Sequence, residues 1–309
     1  MPRGAANASG ALMRIGITAN PRKVGALAIA ERAARVLAPR AELVVAESIP
    51  PGASFPQGRE PIEQMRVDVI VAIGGDGTFL SVLQRTPVPL LAINAGTVGV
   101  LAEVDGRDLD AIDAALDRLV HGFYFVEDRM KLAVQTGDGV APDASNEVVV
   151  HCARAAKMGH FEIALDGRPF GRIRADGIIL ATPTGSTAYA LSALGPIVEP
   201  SVEGIVAVAI APFRAVARAI VIDPLRTVTI RPLPTGASAV AVIDGHFERP
   251  IPADGSVVVY RSPRRGRFVR FGAPHFLRLR GKGILPWSES LGVLEENEEE
   301  HGRDVPPPA

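Results

Sequence analysis

Val67-Asp68-Val69-Ile70-Val71-Ala72-Ile73 runs directly into Gly74-Gly75-Asp76-Gly77-Thr78 and on into Phe79-Leu80-Ser81-Val82-Leu83. The first seven residues have the length and β-branched content of a buried strand. The glycines force a tight turn, and the segment from Thr78 reads as the opening of a helix. Three glycines around one carboxylate let a phosphate chain come close to the backbone. The N–H groups at the head of the following helix favour anions there. Asp76 is out of place in a phosphate cradle, because it repels phosphate. Its presence points to a base acting on an incoming hydroxyl, or to an anchor for a sugar hydroxyl or a metal. A plain strand-to-helix turn with Asp76 as the helix cap reads these few residues equally well.

Outward from this turn, strands alternate with helices. Leu12–Thr18, Leu43–Ala46 and Leu90–Asn94 read as further strands, and Val24–Leu37 and Asp108–His121 as helices. The second helix sets Leu109, Ile112, Ala115, Leu116 and Leu119 on one face. This pattern predicts an α/β fold with a parallel sheet, whose ligands bind beyond the carboxyl ends of the strands. Gly74–Gly77 and Asn94-Ala95-Gly96-Thr97-Val98-Gly99 both lie at such ends. From about residue 122 the pattern changes to short β-branched runs separated by turns. They are Phe123–Val126, Lys131–Gln135, Glu147–Val150, Phe161–Leu165, Ile178–Ala181, Ile205–Ile210, Val228–Ile230, Val240–Ile243 and Val257–Tyr260. Asp166-Gly167 is a type I′ hairpin signal. A β-rich, sandwich-like second domain follows from this spacing. The expected division is 12–121 and 122–273, with a helical segment at His275–Arg280 returning over 274–290 to the first domain. Residues 1–11 and the acidic, proline-ended stretch 295–309 read as unstructured.

With 309 residues, 47% of them hydrophobic, the chain can bury a sizeable core. A formal net charge of -1 offers no surface for a polyanion, so no nucleic-acid partner is expected. The single Cys152 allows no intramolecular disulfide and fits a reducing compartment, as a small buried hydrophobe. No apolar run is long enough to span a bilayer, and the opening residues lack the apolar core of a secretory signal. A cytoplasmic protein without membrane partners is the expectation. His151 and His160 lack metal-ligand spacing, and no carboxylate cage is visible.

Two further motifs carry chemistry. In Ala175-Asp176-Gly177-Ile178-Ile179-Leu180-Ala181-Thr182-Pro183-Thr184-Gly185-Ser186-Thr187-Ala188-Tyr189-Ala190 a buried strand enters a hydroxyl-rich loop. Thr182, Thr184, Ser186 and Thr187 can read a base edge or a ribose, and Tyr189 can stack on a base. A capping turn for a helix at Tyr189–Leu194 accounts for one or two of these hydroxyls, not for the run. Asn146-Glu147 opens a strand with paired donor and acceptor groups and a carboxylate suited to vicinal hydroxyls. Arg172 and Arg174 precede Asp176 on alternating faces of a strand; Arg174 is a candidate partner for Asp176 or a phosphate. Arg22 and Lys23 follow the first strand on the ligand side, where a triphosphate needs cations.

Together these residues resemble the NAD kinase family, over most of residues 13 to 285. The glycine loop alone is shared with lipid kinases and phosphofructokinases. The ordered combination is specific: Gly74–Thr78, Asn94-Ala95-Gly96 with Gly99, Asn146-Glu147, then Asp176-Gly177 leading into Thr182–Tyr189. The downstream Gly-Thr-Gly-Asn-Asp type segment of lipid kinases is missing. The resemblance implies transfer of a phosphoryl group from ATP or polyphosphate to the adenosine-ribose 2′-hydroxyl of NAD, giving NADP. It implies Asp76 as the base, with Gly74, Gly75, Gly77 and Thr78 at the donor and Asn94 beside them. Asn146, Glu147, Thr187, Ala188, Tyr189 and Ser192 would hold the adenosine half of NAD. Asp176 is similar to a family aspartate that reaches dinucleotide on a neighbouring subunit, which implies a homodimer or homotetramer. A divalent cation, Mg²⁺ or Mn²⁺, would arrive with the donor phosphates. The chain departs from the family pattern at Val100 and Ala219, where an aromatic residue and a proline are usual. Asp244-Gly245 resembles a late family hairpin near the ligand. The rival readings are a lipid kinase of the same superfamily and a non-catalytic dinucleotide sensor.

Overall fold

The computed structural model describes residues 12–51, 55, 59–137, 139–154, 157–213, 217–233, 238–252, 254–272, 276, 279, 283 and 284. It falls into two units, the first ending at Phe271. The helical reading of His275–Arg280 and the return of 274–290 fall almost wholly outside the described residues, as do 1–11 and 295–309.

The first unit opens with β1 (Arg14–Ala19), α1 (Ala26–Leu37), β2 (Glu42–Ala46), β3 (Arg59–Glu60), β4 (Val69–Gly74), α2 (Asp76–Arg85), β5 (Leu90–Asn94), β6 (Val104–Asp105) and α3 (Leu109–Val120). Strands then dominate: β7 (Phe125–Thr136), β8 (Gly139–Ala144), β9 (Glu147–Cys152), β10 (Gly159–Leu165), β11 (Arg168–Ala175) and β12 (Gly177–Ala181). After the four-residue helix α4 (Tyr189–Ser192) come β13 (Ile205–Ile210), β14 (Ile220–Ile222), β15 (Val228–Pro232), β16 (Ala239–Ile243), β17 (Phe247–Ile251) and β18 (Val257–Arg270).

Strands β3, β2, β1, β4 and β5 pair in parallel, in that order. Side chains alternate along β4, so Val69, Val71 and Ile73 join the core under α1 and α3, while Ile70 and Ala72 join the one under α2. Burial on both faces is why this strand reads as an unbroken apolar run. Asp108 caps α3 by accepting from the Ala111 N–H at 2.9 Å. Leu109, expected on the apolar face, is 48% exposed, because the first helical residue lies outside the stripe formed by Ile112, Ala115, Leu116 and Leu119.

The second half is a sandwich, as expected. A six-stranded antiparallel sheet, β14-β13-β12-β9-β16-β17, packs on strands β7, β8, β10, β15 and β18. Those strands are not a separate sheet. Strand β18 pairs antiparallel with β7 and β15 and parallel with β5 through Phe268 and Leu90. One 12-stranded sheet therefore runs through both halves. The apolar run Val257–Tyr260 is only the start of β18, and the runs at 123–126 and 131–135 merge into one strand, β7. A register shift between Arg261 and Arg265 takes Pro263 out of the ladder. No described helix is long and apolar enough to cross a membrane.

Candidate functional site

The glycine turn forms as its residues dictate. Gly74 ends β4 beside Asn94, Gly75 precedes α2, and Asp76, Gly77 and Thr78 are the first three helical residues. A Cβ on Gly74 would stand 2.4 Å from the Thr78 hydroxyl, so only glycine fits against the first turn of α2. The Asp76 carboxylate does not cap its own helix. One oxygen accepts the Val100 N–H at 3.0 Å and the other the Leu101 N–H at 2.9 Å. Those amides belong to the loop after β5. Asn94 shapes its start by bonding both the N–H and the C=O of Gly96, and Gly99 turns it at φ +62°. A Cβ on Gly99 would strike the Asn94 amide at 2.4 Å.

A cavity of about 490 Å³ lies over this turn. Asn20, Lys23 and Ser48 line it from the first two strand ends, Gly75–Thr78 and Arg85 from α2, and His246 from the second half. Asp76 is the one carboxylate among its lining residues. His246 escaped the sequence reading. Its Nδ1 faces the carbonyl of Asp244, which can only accept, so in the neutral ring Nδ1 carries the proton and Nε2 the lone pair. The ring rests against Gly77, where a Cβ would be 3.4 Å from Nε2.

The other candidate residues gather on the six-stranded sheet. Asn146 stands just before β9, and Glu147 is its first residue, buried. The Glu147 carboxylate accepts from the Tyr189 N–H, and its Oε2 has no hydrogen-bond partner. Burial, with the nearby Asp244 charge, pushes this carboxyl up to about 7. Tyr189 and Asp176 share a second cavity of about 310 Å³ with His151, Cys152, Arg154 and Lys157. Arg174 is exposed on β11 and lies over the Phe213 ring, 4.5 Å from its centroid, rather than on Asp176. Ser192 is exposed at the end of α4, and Ala188 joins α4 to a single 3-10 turn at Gly185–Thr187.

The hydroxyl-rich run serves itself more than a ligand. Thr182 Oγ1 donates to the Ser145 carbonyl and accepts from the Gly185 N–H. Ser186 Oγ donates to Pro183 and accepts from the Val198 N–H, and Thr187 Oγ1 donates to the Thr184 carbonyl. Thr182 and Ser186 are fully buried. The turn thus consumes more hydroxyls than the one or two its sequence suggested.

Asp244 joins the two groups. At φ +48° in the turn after β16, it is buried and accepts the N–H groups of Ser145 (2.9 Å), Asn146 (2.8 Å) and Glu147 (3.2 Å). It also accepts from the side-chain amide of Gln84, on α2, at 3.0 Å. Burial pushes its carboxyl up, against these four donors. Lys131 adds a second hold on α2, donating from Nζ to the Leu83 carbonyl at 2.8 Å. Burial pushes this ammonium down. The helix that starts at Asp76 is therefore pinned, at its far end, to the strands that carry Asn146 and Glu147.

With this geometry in hand, comparison with known proteins is decisive. Residues 15–124 match the ATP-NAD kinase N-terminal domain and residues 145–271 the ATP-NAD kinase C-terminal domain. An NAD kinase of Methanothermobacter thermautotrophicus is 41% identical over 288 residues, covering 91% of this chain and 99% of the relative. This chain belongs to the NAD kinase family. A Methanopyrus kandleri NAD kinase is 39% identical over 277 residues, covering 88% of this chain and 98% of the relative. A crystal structure of an Archaeoglobus fulgidus NAD kinase in complex with ATP superposes with a TM-score of 0.70 at 31% identity, covering 87% of this chain and 98% of that one. The yeast NADH kinase structure, complexed with NADH, shares the fold with a TM-score of 0.77 at 23% identity, covering 92% and 89%. For an NAD kinase family member, the lipid-kinase and sensor readings are not favoured.

Proposed function

We propose that this enzyme transfers the terminal phosphoryl group of ATP to the adenosine-ribose 2′-hydroxyl of NAD, giving NADP. The observation that carries the reading is the Asp76 carboxylate, held by two backbone N–H groups on the wall of a cavity that otherwise offers donors and cations. Each Asp76 oxygen spends one lone pair on the loop and keeps another for the ribose hydroxyl. The donor phosphates lie along Gly74, Gly75, Gly77 and Thr78, at the head of α2, with Lys23 and His246 beside them. Asn94 sets the loop that aims Asp76. The adenosine half of NAD is held by Asn146, Glu147, Thr187, Ala188, Tyr189 and Ser192. Glu147 Oε2, buried without a partner, suits a ribose hydroxyl.

Among the described residues no cluster of His, Cys, Asp and Glu could hold a metal ion. The donor set at the cavity is a carboxylate, an amide and a hydroxyl from Asp76, Asn20 and Thr78. That set fits a divalent cation carried on the donor phosphates with much of its water retained. When bound, such a cation neutralises charge on the transferring group. The protein's own work is positioning and proton removal, with the donor held at the edge of the parallel strands and NAD at the six-stranded sheet. Asp176, just before β12 of the six-stranded sheet, and Arg174, on β11 of the 12-stranded sheet, face dinucleotide held by a second copy of the chain in a homo-oligomer.

The test is purified protein with NAD, Mg²⁺ and either ATP or polyphosphate, followed for NADP. Formation of NADP supports the reading, and the two arms separate the donors. Asp76→Asn keeps one of the two loop bonds, turns an NH₂ toward the other N–H, and cannot take a proton. It lowers kcat by ~10²–10⁴, while calorimetric NAD affinity changes less than about tenfold. A near-normal kcat in this variant removes Asp76 as the base.

A further inference from the structure

One of the two residues whose amides hold Asp76, Leu101, is itself held from behind by a residue outside both cavities. Arg270, the last residue of β18, is 1% exposed. Its Nη1 donates to the Leu101 carbonyl at 3.2 Å and to Glu103 Oε2 at 3.1 Å. Its Nε donates to Glu127 Oε2 at 2.7 Å, and its guanidinium lies 4.6 Å from the centroid of the Phe268 ring. Glu103 Oε1 accepts the Phe271 N–H, which closes the cluster on the backbone of β18. Leu101 thus gives its N–H to Asp76 and its C=O to Arg270. A chain of direct hydrogen bonds runs from Asp76 through one residue to a buried ion cluster.

We propose that Arg270 is a positioning residue for the phosphoryl transfer. It fixes Leu101, and through its N–H the direction of the Asp76 carboxylate. The inference rests on Asp76 acting as the base. The Glu103 N–H bonds the Ala92 carbonyl and ties the end of the loop to β5, and Arg270 adds a side-chain hold on Leu101 itself. Asn94 secures Gly96, but Gly99 follows at a positive φ and lies between that anchor and Val100. A planar guanidinium, with donors in a fixed fork, can satisfy a carbonyl and two carboxylates together. A lysine ammonium keeps the charge and loses that geometry. Burying such ions is expensive, and an apolar cluster of the same volume is often no less stable. Core packing alone is therefore a poor account of a buried guanidinium aimed at this carbonyl.

The experiment compares Arg270→Lys, Glu127→Gln and, as a control, Arg264→Lys in the full-length enzyme. Arg264 pairs with buried Asp143 but touches nothing in the loop. Misplacing a reacting group by about 1 Å can reduce the rate on the order of 100-fold. Arg270→Lys is expected to lower kcat by about 10- to 100-fold, with the KM for NAD and ATP unchanged. The Leu101 amide should exchange hydrogen faster, and Arg264→Lys should do neither. In an Asp76→Asn background, Arg270→Lys should lower kcat less than about twofold further, since the two act through one group. If Arg270→Lys does not fold, Glu127→Gln takes its place, because it keeps shape and loosens the hold on Leu101 by removing the charge that steadies the Arg270 guanidinium; faster Leu101 exchange and a smaller fall in kcat are then expected. Unchanged Leu101 exchange, a full additive loss in the Asp76→Asn background, or an equal loss in Arg264→Lys overturns the proposal. A wild-type enzyme that makes no NADP overturns the proposed reaction instead, and the exchange readout still tests the Arg270 contact by itself.

Discussion

Two turns in this molecule share a local sequence and a backbone. Asp166-Gly167 and Asp244-Gly245 both join antiparallel strands, with φ of +49° and +75° in the first and +48° and +68° in the second. Asp166 is on the surface, where it accepts from the Thr227 N–H and Arg226. Asp244 is buried and accepts from three consecutive backbone amides and from Gln84 of α2. The residue after each turn differs as sharply, since Arg168 is exposed and His246 lines the cavity over the glycine loop. The dipeptide specifies the turn. What the turn does is set by partners 60 to 160 residues away.

The largest expected effect breaks this pair directly. Asp244→Asn leaves one amide oxygen for three N–H groups and sets an NH₂ against the rest. A loss of ~3 kcal/mol in urea unfolding is expected, typical of breaking a buried charged network by one partner. The KM for NAD should rise with it. Asp166→Asn should leave the unfolding midpoint within experimental scatter. Equal effects at the two turns would mean that Asp244 merely completes a hairpin.

The same contrast explains what the sequence made legible. Gly74–Thr78 is contiguous, and its glycines and Thr78 act within one turn of chain, so strand, loop and helix could be read together; the bonds of Asp76 to Val100 and Leu101 could not. The parallel order around it followed from alternation of strands and helices. Asp244, Gln84, Lys131 and Arg270 each act across dozens of residues, and nothing in their immediate neighbours marks them. Only the family resemblance pointed to the late hairpin at Asp244-Gly245, and the same dipeptide at Asp166-Gly167 is a plain surface turn. Strand β18 was cut short for a local reason. Pro263, Gly266 and four arginines between 261 and 267 obscure its alternation, yet Arg264 and Arg267 find Asp143 and Asp128. In the hydroxyl run, composition was a poor guide, because Thr182 and Ser186 face their own loop.

The second prediction sharpens the comparison through a neighbour of Asp244. Glu147 has its carboxyl raised from 4.5 to about 7. A folded-state pKa above the unfolded one favours the native state at low pH, and that advantage is lost as pH rises from about 4.5 through 7. The difference amounts to about 3 kcal/mol over that window. Unfolding free energy of the ligand-free protein should therefore fall between pH 5 and pH 8 by more than in Glu147→Gln, measured side by side. If NAD binds the ionised form, binding near pH 6 should release a proton, seen by calorimetry in buffers of different ionisation enthalpy. Parallel pH profiles for wild type and variant would show that Glu147 titrates as an ordinary carboxylate.

A smaller effect separates the two ends of the Asp244 turn. His246→Ala removes the ring that rests on Gly77 but leaves the Asp244 carboxylate and its four donors in place. In its protonated form the ring donates from Nε2 to the donor phosphates, and losing that bond should raise the KM for ATP about tenfold or more, the scale of ~1.5–3 kcal/mol for one hydrogen bond to a charged group. The KM for NAD should not move. A rise for NAD alone would place His246 with the acceptor and not with the donor.

The smallest effect falls on Tyr189, and its size follows from what the structure assigns to the backbone. The Tyr189 N–H bonds Glu147, so Tyr189→Ala keeps that bond and removes only the ring. Base–aromatic stacking is typically worth ~1–3 kcal/mol. Tyr189 is 45% exposed and lines the cavity shared with Asp176. The low end of that range applies, and the KM for NAD should rise about fivefold to tenfold, with kcat nearly unchanged. Tyr189→Phe should match wild type, because stacking needs the face and not the hydroxyl. A loss in Tyr189→Phe equal to that in Tyr189→Ala would assign the effect to the phenol oxygen. If neither variant changes the KM for NAD, the ring lies outside the adenosine site. The contribution of this loop would then reduce to its backbone, as in the glycine turn at Asp76.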